Sequence, residues 1–265
     1  MCQVAEAAES PHRVPLNKER VLRAAVDLAD REGLESLTMR KLADALGAGA
    51  MSLYHYVPNK EALLDGIVDV VFDKIEAPST DIDWKAALRQ RAISTRAALR
   101  RHPWALDVME SRTQPGLANL RLHNAVVACL REAGFSVPDA VHAYSVQDAY
   151  IYGFALQEKN LPFKTSEEAA QIGEMMVQQF QHLADQIPYS FEVVAGYVAK
   201  GGYDPTAEFE FGLDLILAGL ERLRDTRRDR ARRRRTAQPF EPTPGDGIGP
   251  PSTSSATPTS STSAH

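Results

Sequence analysis

Apolar positions recur at three- and four-residue intervals along most of the chain, the spacing that gives an α-helix one buried face. The first such stretch covers residues 17–33. It opens at Asn17, whose side chain can cap a helix start, and closes at Gly33, with Val21, Leu22, Ala25, Leu28 and Ala29 on one face. A second stretch, 38–47, begins at the capping residue Thr38 and turns Leu42, Ala43 and Leu46 inward. The tight turn Gly47-Ala48-Gly49 leads into a third, 50–57. Pro58-Asn59-Lys60 breaks the chain and restarts it over 60–75, where Leu63, Leu64, Ile67, Val68, Val71 and Phe72 form the stripe. Further helices are predicted at 84–102, 104–111, 117–133, 138–160, 166–187 and from Pro205 to about Arg232, separated by Pro and Gly stops. Residues 189–203 read either as loop or as a short helix over 191–199.

The fold class that follows is all-α. The boundaries predicted are a disordered leader at 1–15, a three-helix N-terminal domain at 16–62, a larger helical domain at 63–232 and a disordered tail at 233–265. The residues from 236 onward are Pro, Ser, Thr and Gly with almost nothing to bury.

Composition narrows the function. The chain has 265 residues, 44% hydrophobic and 25% charged, an ordinary globular balance with enough length for a sizeable core. Cys2 and Cys129 lie far apart, without the spacing of a disulfide framework or a zinc site. No apolar run reaches the ~18 residues of a membrane span, and the start of the chain lacks a signal peptide's pattern. The expectation is a soluble cytoplasmic protein with no membrane association. Charge is uneven: residues 222–235 hold nine arginines against Asp225 and Asp229, a local +7, and with the whole chain at −5 the remainder carries −12. Net charge therefore cannot decide nucleic-acid binding; a local motif must. The arginine run reads either as a solvated helix end, favoured by the helix dipole, or as an auxiliary contact to a polyanion.

That motif lies at residues 37–57. Two short helices joined by a glycine turn, with a third packing across them, describe a helix-turn-helix. Ala43 is small enough for close helix crossing, and Gly47 supplies the positive φ of the turn. Leu53 and Val57 anchor the second helix, leaving Ser52, Tyr54, His55 and Tyr56 for a DNA groove. Arg40-Lys41-Leu42-Ala43, then Leu53-Tyr54-His55-Tyr56-Val57, then Asn59-Lys60-Glu61-Ala62-Leu63-Leu64-Asp65 resemble the DNA-binding domain of the TetR family of transcriptional regulators. The resemblance implies that Thr38 and Arg40 touch phosphates or a groove edge. It implies that Met51, Ser52, Tyr54, His55 and Tyr56 form the recognition surface, and that Lys60 reaches a phosphate. Gly49 and Ala50 stand where relatives often carry a polar base reader, so specificity leans on thymine-methyl contacts, Ser52, His55 and DNA shape.

The body resembles the tetracycline-repressor type, through Gly134-Phe135-Ser136, Tyr150-Ile151-Tyr152-Gly153-Phe154-Ala155-Leu156-Gln157-Glu158 and the segment from Phe209 to Glu221. The resemblance implies that the last two of these helices pair with their symmetry mates into a four-helix bundle. Gly153, Phe211, Gly212, Leu215 and Gly219 are then the candidate homodimer interface; the glycines read alternatively as sites of packing within one chain. The partners implied are a second copy of the chain, double-stranded operator DNA of pseudo-palindromic sequence, and a small-molecule effector that releases it. The tetracycline repressor holds a drug–magnesium chelate with two histidines and a glutamate. Those places here hold Glu76, Glu110 and Gln157, so the expectation is no magnesium–tetracycline binding, no metal, no cofactor, and a different, cationic or hydroxylated ligand. Candidate pocket residues are Trp104, Met109, Glu110, His123, Val127, Tyr144, Gln147, Tyr150 and Ile151, a mixture of aromatic, apolar and polar groups suited to a small molecule.

Two other readings stand beside the repressor. No catalytic motif is present, so no catalytic residue is assigned and an enzyme would have to rest on a pair such as Glu110 with His123. An activator, or a ligand-sensing adaptor with weak DNA contact, shares every feature above.

Overall fold

A computed structural model describes residues 15–111 and 115–237. Eleven α-helices follow in chain order: α1 (Lys18–Glu32), α2 (Met39–Leu46), α3 (Ala50–Leu53), α4 (Lys60–Phe72), α5 (Trp84–Arg101), α6 (Trp104–Glu110), α7 (Leu117–Glu132), α8 (Val137–Asn160), α9 (Ser166–Phe180), α10 (Pro188–Gly196) and α11 (Pro205–Ala237), with 3-10 turns at Leu34–Ser36, Gln181–Leu183 and Val198–Lys200. One compact unit runs to Asp225 and a second begins at Thr226. Among the described residues no helix is long and apolar enough to cross a membrane.

The helix starts follow local chemistry. Asn17, Thr38, Asn59, Asp83, Ser136 and Thr165 each accept a backbone N–H of the first turn they precede, satisfying donors that a helix N-terminus leaves free. Gly47 ends α2 at φ 60, ψ 35, a left-handed conformation open to glycine at little cost.

The observed elements depart from the sequence expectations in four places. The recognition helix is a single turn, and Tyr54–Tyr56 continue it as turns. α9 stops at Phe180 rather than 187, because the chain tightens into the 3-10 turn at Gln181–Leu183. The ambiguous stretch holds a helix at Pro188–Gly196, where Pro188 presets the first helical φ. α11 continues to Ala237, five residues into the expected tail. The expected leader, up to residue 14, and the tail from residue 238 lie outside the described residues.

Two hydrophobic cores organise the unit that ends at Asp225. The first joins α1–α4, through Val21, Leu42, Leu53, Leu63, Ile67 and Phe72, to Leu99, Trp104, Leu106, Ala118 and Leu122 of the body. The second joins α5, α7, α8 and α11 through Leu88, Val126, Leu130, Ile151, Phe209, Leu213 and Leu217. α4 therefore shares its core both with the N-terminal helices and with the body.

Candidate DNA interface and effector site

The N-terminal helices expose one polar and aromatic surface. Leu42, Ala43, Leu53 and Val57 are buried, so they fix α3 against α2 and turn the intervening side chains outward. Met51 is 78% exposed and Tyr54 43% exposed, and Arg40, His55 and Lys60 are exposed with them. Lys60 opens α4, whose cap Asn59 accepts the Ala62 N–H at 2.7 Å; a cation beside free backbone N–H groups makes a phosphate site.

Three of the expected contact residues are engaged within the protein. Thr38 Oγ1 accepts the Lys41 N–H at 3.2 Å. Ser52 Oγ donates to the Gly49 carbonyl at 2.6 Å, so its proton is held inward while its lone pairs remain open to a donor on DNA. Tyr56 corrects the sequence reading. Its ring packs on the first core and its hydroxyl donates to the Leu16 carbonyl at 2.9 Å. Tyr56 thus clips the segment before α1 beneath the recognition turn rather than facing a groove.

In the body, the expected pocket residues separate into two groups. His123, Tyr144 and Gln147 meet around an arginine the sequence reading did not single out. Arg91, 1% exposed, pairs through Nη1 with Asp148 at 2.6 Å and donates to Gln147 Oε1 at 3.3 Å. Gln147 in turn donates to the Leu88 carbonyl at 3.4 Å. Tyr144 hydrogen-bonds Asp148, and its ring meets His123 edge-on with centroids 4.3 Å apart. Burial and the Asp148 charge push the Tyr144 and Tyr152 phenols well above their usual range, so both keep their protons.

The other expected liners lie elsewhere. Trp104 is buried in the first core and its Nε1 donates to Asp30 at 2.7 Å, so it joins α6 to α1. Tyr150 stacks on Phe209 at 5.5 Å and donates to its carbonyl at 2.9 Å, so it packs α8 on α11. Ile151 is fully buried in the second core, and Met109 packs half-buried on the first. Val127 is half-buried on α7. The side chain of Glu110 lies outside the described residues. Glu76 and Gln157 are both exposed. Among the described residues no three His, Cys, Asp or Glu side chains gather to hold a metal.

The sequence reading also missed a second buried ion pair. Glu158 on α8 receives Arg96 of α5 through Nε at 2.9 Å and Nη2 at 2.7 Å. The Arg96 guanidinium lies over the Phe154 and Phe209 rings at 5.5 and 5.0 Å, the stacked arrangement that suits a planar cation. A signal existed for both pairs. Trp84, Leu88, Arg91, Thr95 and Leu99 fall on one stripe at helical spacing, and a charge inside such a stripe announces a buried partner.

The candidate dimer residues also divide. Phe211 is 65% and Leu215 58% exposed on α11, and a Cβ added at Gly153 or Gly219 would meet nothing within 4 Å. Gly212 is different: a Cβ there would come within 2.2 Å of the Tyr150 hydroxyl. Its lack of a side chain serves packing within the chain, the alternative left open by the sequence, because Tyr150 must cross it to reach the α11 backbone.

A helix-turn-helix with an exposed recognition turn, joined through a shared core to a helical body with a buried polar cluster, defines a DNA-binding regulator. The chain belongs to the TetR family. Residues 21–67 match the model of bacterial regulatory proteins of the tetR family, and residues 77–224 match the tetracyclin repressor-like C-terminal domain. It is 36% identical over 232 residues to the HTH-type transcriptional repressor DrrR1 of Streptomyces coeruleorubidus, covering 84% of this chain and 85% of that one. It is 32% identical over 217 residues to the class C tetracycline repressor of Escherichia coli, covering 81% and 94%. The Streptomyces coelicolor TetR family protein ActR, solved in complex with actinorhodin, superposes with TM-score 0.64 at 26% identity, over 78% of this chain and 97% of that one.

Proposed function

We propose that the protein is a transcriptional repressor that binds a pseudo-palindromic operator as a homodimer and is released by a small molecule other than magnesium–tetracycline. It acts in the cytoplasm, on DNA, and carries no catalytic activity. The observation that carries this reading is the recognition turn: Met51, Tyr54 and His55 stand exposed on a segment pinned from below by Leu53 and Val57, with Arg40 and Lys60 exposed on the flanking helices.

Exposed apolar side chains on α11, Phe211 and Leu215, support a second copy as partner, since such a patch favours a self-complementary interface. Two linked heads then read two half-sites about one DNA turn apart, ~34–36 Å or somewhat more. Release follows if the effector binds the body in a form whose heads no longer match that spacing. Exposed Glu76 and Gln157, where the tetracycline repressor has ligands of its chelate, support an effector of another kind.

The test is selection of bound fragments from random duplex DNA by the purified protein, repeated with Tyr54→Ala and Lys60→Ala. An enriched palindrome bound by the wild type and lost in both variants is expected. Enrichment that survives both variants, or none at all, would overturn the reading.

A further inference from the structure

The polar cluster around Arg91 contains one donor with nothing to receive it. Arg91 is 1% exposed, its Nη1 faces Asp148 and Gln147, and its buried Nε–H has no hydrogen-bond partner among the described residues. Buried donors of a charged group are almost always paired, because leaving one bare forfeits its hydration with no return. The cluster lies where the two cores meet: Tyr152 packs on the first and Tyr144 on the second. Tyr144, Tyr152 and His123 each keep part of their surface accessible, although burial dominates the environment of both phenols. Open space therefore adjoins these rings, beside an arginine that is itself closed off.

We infer that Arg91 Nε anchors a neutral carbonyl oxygen of a planar aromatic effector, a ketone or quinone, held among Tyr144, Tyr152 and His123. This rests on the regulator reading for its biological role, but not for its chemistry. Three features select the class. An acceptor is required, because the guanidinium offers only N–H groups. The acceptor is neutral, because Asp148 already balances the Arg91 charge at 2.6 Å and a second anion would add an unmatched buried charge. The body of the ligand is aromatic, because His123 and Tyr144 present an edge-to-face pair with Tyr152 beside them, surfaces that favour ring contacts. Both phenols remain protonated and able to donate to further ligand oxygens.

The experiment titrates the protein by calorimetry with 1,8-dihydroxyanthraquinone and with 1,8-dihydroxyanthracene, which lacks the carbonyls. The wild type is expected to bind the quinone at least tenfold more tightly. Arg91→Lys keeps the charge beside Asp148 and removes Nε, so it should equalise the two ligands while leaving operator binding intact. Should that variant fail to fold, the wild type still decides. Its buried Arg91 Nε–H gives an NMR signal that should shift on adding the quinone and stay in place with the anthracene. A quinone preference that survives Arg91→Lys, an unshifted Nε–H signal under saturating quinone, or no binding of the quinone by protein that binds its operator would each overturn the inference. Failure to select any operator would overturn the regulator reading instead, and a quinone preference lost in Arg91→Lys would uphold the site regardless.

Discussion

Trp104 Nε1, in the first turn of α6, donates to Asp30 Oδ1 of α1 at 2.7 Å, and the same oxygen lies 2.8 Å from His102 Nδ1. One carboxylate on the first helix thus gathers the end of α5 and the start of α6. A second link runs in parallel. Asp69 of α4 accepts the backbone N–H groups of Leu117 and Ala118 at the start of α7, and although they hold its carboxyl down, burial outweighs them and raises it. A Cβ at Gly116 would come within 1.9 Å of Asp69 Oδ1, so the approach requires glycine. Movement of α6 or α7 in the body is therefore transmitted to the helices that carry the recognition turn.

Trp104→Phe keeps the ring and removes the donor. The expected cost is about 0.5–1.5 kcal/mol for one net hydrogen bond, a fall of roughly 2–4 °C in Tm per kcal/mol for a chain of this size. Operator affinity without effector should change less than the effector's power to reduce it. Fluorescence anisotropy of labelled operator, with and without effector, measures both.

Lys60 is exposed beside the free N–H groups of α4 and recognises a phosphate rather than a base. Lys60→Ala should weaken binding to all duplexes by similar factors and reduce the slope of log affinity against log salt by about 1. Titrations at several salt concentrations check this. A change confined to one operator sequence would assign Lys60 a base contact instead.

Two tyrosines two residues apart should behave oppositely. Tyr56→Phe removes the hydroxyl that holds Leu16 at 2.9 Å and should cost about 0.5–1.5 kcal/mol of stability. Tyr54 is exposed, so Tyr54→Phe should leave thermal stability within about 0.5 kcal/mol and act on DNA affinity alone. Paired melting and binding curves separate the roles.

That contrast marks how far the sequence could be read. Helical period and capping residues placed α1, α2 and α4 to within a residue or two at their starts, because Asn17, Thr38 and Asn59 bond to their own first turns. These are local interactions, written in neighbouring positions. Tyr56 and Trp104 depend on partners 40 and 74 residues away, which no local pattern specifies. An aromatic side chain in a helical stripe fits a pocket, a groove or a core equally well; only the position of Leu16 or Asp30 decides. The Arg91 and Arg96 pairs fall between these cases, visible as charges in an apolar stripe but without a named partner.

Breaking the Arg96–Glu158 pair tests the second core. Glu158→Ala leaves a buried guanidinium bonded on that side only to more distant groups, and removing one member of such a pair costs about 3–5 kcal/mol. The melting temperature should fall by roughly 2–4 °C for each kcal/mol lost. Glu158→Gln keeps one acceptor and should lose less. A loss under 1 kcal/mol for Glu158→Ala would mean that the Phe154 and Phe209 rings hold Arg96 without its carboxylate.

Phe211 and Leu215 carry the last prediction, because each is exposed in the single chain and neither is needed for its folding. In a two-fold interface every substitution counts twice. Phe211→Glu with Leu215→Glu should therefore convert dimer to monomer in sedimentation velocity, with helical content unchanged and operator affinity reduced by at least tenfold through loss of the second head. Gly212→Ala provides the contrast. Its added methyl would press on Tyr150 of the same chain and displace the hydroxyl from the Phe209 carbonyl. That variant should lower the stability of the protomer by about 1–3 kcal/mol, the range for overpacking, at protein concentrations where the assembly state is unchanged. A double glutamate variant that remained dimeric would place the interface on another face of the molecule.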